Sequence, residues 1–89
     1  MQEKSKFSED FLLESDEEKF LILHNDDLNT FDYVIDTLVE VCKHNSIQAE
    51  QCTMIVHFKG KCAVKEGPME VLRSYKSELI KKGLSATIN

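Results

Sequence analysis

The chain has 89 residues, 42% of them hydrophobic and 30% charged, with a formal net charge of -5. That length leaves room for one domain, and the acidic balance excludes nucleic acid, which needs a basic face to release its counterions. No stretch approaches the eighteen or so apolar residues of a membrane span, and the acidic N-terminus has neither the basic nor the apolar region of a signal peptide, so a cytoplasmic location is expected.

Residues 1–18 contain seven acidic and two basic side chains, with Phe7, Phe11, Leu12 and Leu13 as the bulky apolar groups. They bury too little surface to offset their ordering entropy, and a flexible acidic tail is expected before a folded domain over 19–89. Lys19 to His24 then holds an apolar run, Phe20-Leu21-Ile22-Leu23, that suits a largely covered strand. Phe31, Val34, Ile35, Leu38, Val41 and Cys42 follow at helical spacing, opposite Asp32, Asp36, Glu40 and Lys43, with Asn29 or Thr30 as the cap.

Asn45 with Gln48 three residues on resembles a capping box opening a second helix. That helix is expected to turn Ile47, Ala49, Cys52, Ile55 and Val56 inward and to stop at Gly60. Lys61 to Glu66 reads as a strand. Gly67-Pro68 starts a third helix with proline at its first position, ending near Lys81-Lys82 and Gly83, and Leu84 to Ile88 closes as a strand. The order is β-α-α-β-α-β, an α/β (α+β) sandwich with helices against one sheet. Cys42, Cys52 and Cys62, ten residues apart, form neither a closed disulfide framework nor a CxxC motif, and are expected to be reduced, mostly buried core thiols.

The polar residues of interest are Asn25-Asp26-Asp27, where the first strand gives way to a helix, and His57 near the end of the second helix. An amide oxygen, carboxylates and an imidazole are all acceptors, and together they suit a donor with several N–H bonds, such as an ammonium. Each part also has a plainer use: Asn and Asp cap helices and form turns, and a histidine at a helix end meets the C-terminal dipole. A metal site from His24, Asp26 and His57 has suitable ligand types without a His-x-x-x-His or cysteine pair to support it. Asp27 and His57 as the acid–base pair of a small hydrolase lack a nucleophile motif, a phosphate loop and any cofactor signature.

Leu23-His24-Asn25-Asp26-Asp27, the helix Phe31-Asp32-Tyr33-Val34-Ile35-Asp36-Thr37-Leu38 and Val56-His57-Phe58-Lys59-Gly60 together resemble the ClpS adaptor family, over about Phe20 to Ile88. The resemblance implies a three-stranded antiparallel sheet packed against three helices. It implies a non-enzymatic, cofactor-free and monomeric adaptor that binds N-degron substrates by a bulky apolar first residue. Such an adaptor delivers them to the N-terminal domain of a Clp-type AAA+ unfoldase and so to its peptidase. By position, Asn25, Asp27 and His57 would hold the substrate α-amino group, Asp26 and Asn29 would lie beside the peptide backbone, and Phe31, Val34, Thr53, Val56 and Leu84 would line the side-chain pocket. The acidic tail would correspond to the extension the family uses in delivery.

The chemistry of such a site is coherent. Each charge-assisted hydrogen bond to a free α-amine contributes about 1.5–3 kcal/mol, and an internal amide would leave the acceptors unpaired. A large side chain hides roughly 150–250 Å², worth on the order of 4–6 kcal/mol before the losses of association, so micromolar capture is expected. The neutral imidazole of His57 is the useful form, and binding is expected to weaken as it protonates.

Four positions depart from the family pattern. Phe31 and Thr53 stand where the family usually places methionines, so the resemblance leaves open which first residues are accepted. On the last helix, Glu70 and Val71 match the segment that touches the unfoldase, whereas Arg73 reverses a charge and Tyr75 replaces a cation.

Overall fold

A computed structural model describes residues 17–89. The expected tail lies outside the described residues as far as residue 16; Glu17 is exposed and Glu18 already belongs to the first strand.

The elements are β1 (Glu18–His24), α1 (Phe31–Cys42), α2 (Ser46–Lys59), β2 (Lys61–Pro68), α3 (Met69–Lys81) and β3 (Ser85–Ile88). Their order is the one expected. The strands form one antiparallel sheet in the order β2-β1-β3, and the helices pack on one of its faces. Leu21, Leu23, Leu38, Leu72 and Leu79 are fully buried between the layers. A one-sided sheet exposes alternate residues of its central strand, so Phe20 is 43% exposed. The expectation of a largely covered strand therefore holds for Leu21 and Leu23 and fails for Phe20.

Helix boundaries follow local chemistry. The Thr30 hydroxyl accepts from the Tyr33 amide and caps α1, while the Asn45 side chain accepts from the Gln48 amide and caps α2. Gly60, at φ 96°, ends α2 in the left-handed region where a Cβ would be strained. Pro68 precedes α3 as its cap residue rather than opening it, with extended φ -71° and ψ 155°, because β2 runs two residues past Glu66.

The inward face of α2 is Ala49, Thr53 and Val56, with Cys52 beside it. Ile47 and Ile55 were expected there and are instead exposed, at 66% and 43%. At 3.6 residues per turn they point roughly 160° and 120° away from that stripe. The apolar residues of α2 are scattered around the helix among polar ones, so periodicity did not single out the packed side.

β2 carries an irregularity: Leu21 pairs with Lys65 but Ile22 with Ala63, which leaves Val64 as an extra residue. β2 is an edge strand, and the buried His44 covers it, its Nε2 2.7 Å from the Val64 carbonyl oxygen. Lys65 reaches across the same edge, donating from Nζ to the Cys42 carbonyl at the C-terminal end of α1 and lying 5.0 Å above the Tyr75 ring.

Candidate functional site

The β1–α1 loop is built by one aspartate. A carboxylate side chain two or three residues before free backbone amides folds a turn around itself, and Asp26 accepts from the Leu28 and Asn29 amides, both at 2.9 Å. The Asn29 side-chain nitrogen lies 3.1 and 3.0 Å from the two Asp26 oxygens and also donates to the Gly83 carbonyl at 3.0 Å. Tyr33 donates its hydroxyl to the neighbouring Lys82 carbonyl. The loop is thereby pinned to the segment that leads into Leu84 and β3.

At the other side, the Asn25 amide donates to the Gly60 carbonyl at 2.9 Å. Gly60 ends α2 three residues after His57, so this bond joins the strand end that carries Asn25 to the helix end that carries His57. Residues far apart in the chain come to one mouth.

Below that mouth is a cavity of about 30 Å³. Phe31, Val34, Thr53, Val56 and Leu84 all line it, as does Leu23 on β1. Asn25, Asp26, Asn29 and His57 form its polar side, joined by His24 and Thr30. Asp27 is exposed and is not part of the lining. Its neighbour Asp26 faces the cavity but is already engaged by the turn.

Two side chains differ from what their residue types suggest. The Thr53 hydroxyl donates to the Ala49 carbonyl one turn back, at 2.8 Å. Its polar valence is spent within the helix, and Thr53 adds bulk to the wall without an unsatisfied donor. Phe31 is 39% exposed and stands at the rim, edge to face with His57 at 5.2 Å between ring centroids. His57 also meets Phe58 edge to face at 4.9 Å. The imidazole contacts two aromatic rings while remaining exposed.

Burial pushes the Asp26 carboxyl up, but the hydrogen bonds from the Asn29 side chain and from the Asn29 and Leu28 amides outweigh it and leave it below its ordinary 3.8. Asp26 is therefore an anion inside the turn at neutral pH. Among the described residues no group of three or more His, Cys, Asp or Glu side chains is arranged to hold a metal ion. His24 Nε2 lies 2.8 Å from Thr87 Oγ1, a link between β1 and β3.

Glu70, Arg73 and Tyr75 all lie on α3, away from the cavity. Glu70 and Arg73 are exposed, whereas Tyr75 is half-buried against the core beneath Lys65. Sequence reasoning missed Leu23, His24 and Thr30 as lining residues. Leu23 and His24 immediately precede Asn25, and adjacency to the turn was the available signal. It also missed His44, whose role depends on the irregularity in β2.

A family model described as "ATP-dependent Clp protease adaptor protein ClpS" matches residues 14–87. The chain is 35% identical over 66 residues to the ATP-dependent Clp protease adapter protein ClpS of Thermosynechococcus vestitus, an alignment spanning 73% of this chain and 70% of that one. Among solved structures, Agrobacterium tumefaciens ClpS2 bound to L-phenylalaninamide superposes with a TM-score of 0.74, covering 81% of this chain and 94% of that one. At 19% identity this last likeness establishes a shared fold.

Proposed function

The chain belongs to the ClpS family of ATP-dependent Clp protease adaptor proteins, and we propose that it binds the free N-terminus of proteins that begin with a bulky hydrophobic residue and presents them to a Clp unfoldase. In this reading the adaptor performs no chemistry of its own. The observation that carries it is the meeting of Asn25 and His57 at the mouth of an apolar cavity. A charged multiple donor beside a large apolar side chain is the ligand that matches both halves, and the start of a chain is where a peptide offers that pair. The phenylalaninamide of the Agrobacterium relative carries a free amine and an aromatic side chain, which supports the same match.

Roles divide accordingly. Asn25 and His57 accept from the amine, and the exposed Asp27 carboxylate at the loop supplies its countercharge. Asp26 and Asn29 hold the loop in shape and lie beside the incoming backbone. Phe31, Val34, Thr53, Val56 and Leu84 receive the side chain. The cavity at about 30 Å³ is far below the roughly 150 Å³ that accommodates a benzene ring, so the walls part on binding, and Phe31 at the half-exposed rim is the side chain that gives way. On α3, Glu70 and Arg73 present charges for docking, while Tyr75 contributes from a half-buried position.

The test is binding of short peptides beginning with Phe, Tyr, Trp, Leu or Met, each compared with its N-acetylated form. Acetylation is expected to abolish binding; equal affinities for the two forms would overturn amine recognition.

A further inference from the structure

The fold brings cysteines from α2 and β2 together. Cys62 is the cross-strand partner of the fully buried Leu23, and directly paired residues of an antiparallel ladder point to the same face, so its thiol enters the helix-facing layer. Cys52 lies one turn before Val56 on the inner side of α2, where positions four apart share a face. α2 packs against β2, which makes the two thiols neighbours, and Cys62 Sγ donates to the Ala63 carbonyl at 3.5 Å. Both cysteines are half-buried and free, whereas Cys42 is fully enclosed.

We propose that Cys52 and Cys62 are a redox-sensitive pair that closes into an intramolecular disulfide when the protein meets a peroxide. Burial and the neighbouring thiols push the Cys52 thiol up to about 12, so Cys62 is the sulfur that attacks. Its thiolate takes one peroxide oxygen, the O–O bond breaks, and hydroxide leaves to be protonated to water. The Cys52 sulfur then displaces that transferred oxygen from the Cys62 sulfenic acid as water, its thiol proton going to the leaving group. In sum two thiols and one hydrogen peroxide give one disulfide and two waters. The bond fastens α2, which carries Thr53, Val56 and His57, to the edge strand β2.

Hydrogen peroxide applied to the folded full-length chain tests this, with free thiols counted afterwards and the linked peptides mapped by mass spectrometry. The thiol count is expected to fall from three to one per chain, with a 52–62 link, no covalent dimer, and recovery on reduction. Cys42→Ser should still lose two thiols, whereas Cys52→Ser and Cys62→Ser should form no intrachain bond. Closing so short a loop is expected to raise the thermal midpoint by about 10 °C. Three thiols surviving, a link through Cys42, a covalent dimer, or sulfinic acid on Cys62 in place of the bond would each overturn the proposal. The wild-type map decides even if a serine variant fails to fold.

Discussion

Phe31 and His57, from the first turn of α1 and the last turn of α2, meet edge to face with ring centroids 5.2 Å apart. The residue at the cavity rim and the residue proposed to read the amine therefore brace each other, and replacing either is expected to affect both tasks. Removing the ring by Phe31→Ala forfeits a contact worth about 0.5–1.5 kcal/mol and widens the mouth. Anisotropy titrations with Trp-first and Leu-first peptides should show the preference moving toward Trp. An unchanged ratio of the two affinities would mean that Phe31 does not set the size limit.

His57→Ala removes one of the acceptors proposed for the amine. A loss of about 1.5–3 kcal/mol, on the order of 10- to 150-fold in Kd, is expected for a Phe-first peptide. Isothermal titration of the wild type and the variant with that peptide checks it.

Asn29 ties the Asp26 turn to the Gly83 carbonyl, and Asn29→Ala should cut both links at once. A destabilisation of about 1–2 kcal/mol is expected from the lost hydrogen bonds, read as a lower urea midpoint. The Asp26 carboxyl is held below its ordinary value in the fold, so its contribution is present above the unfolded pKa of about 3.9 and is lost as pH falls through the folded value. In the variant that carboxyl should titrate at higher pH. Carbon NMR of the Asp26 carboxyl measures the displacement directly.

His44 fills the edge of β2, and truncation leaves both a void and an unanswered Val64 carbonyl. His44→Ala should cost about 2–4 kcal/mol, whereas His44→Gln, which keeps a side-chain donor, should cost less. Denaturant unfolding of the two variants separates the packing contribution from the polar one.

Most of the architecture was legible because its signals are local. Thr30 and Asn45 mark helix starts and Gly60 a helix stop through chemistry confined to three or four neighbouring residues. The site was legible only in pieces. Asn25 and His57 are conspicuous as residue types, but their meeting depends on the backbone bond from Asn25 to Gly60, which no pattern in either segment announces. Asp26 and Asp27 look interchangeable in the sequence, yet one is consumed by the turn and the other stays exposed, a difference settled by where Asn29 points. Ile47 and Ile55 were misplaced because α2 offers apolar residues on every side, and only packing against α1 and β2 selects among them.

The unpaired Val64 has a consequence for how this small sheet tolerates change. Before it, the inward residue of β2 is the even-numbered Cys62, opposite Leu23; after it, the odd-numbered Lys65 and Gly67 lie opposite Leu21 and Lys19. The extra residue resets the phase of the strand, turning Gly67 toward Leu72, whose Cδ2 would meet an added Cβ at 4.0 Å. Deleting Val64 would remove a core side chain yet leave Cys62, Ala63 and Lys65 in plain alternation opposite Leu23, Ile22 and Leu21, whereas inserting one more residue would reverse the facing of the strand beyond it. Loss of one residue in this segment therefore costs a core side chain and keeps the facing, whereas a gain turns everything beyond it over.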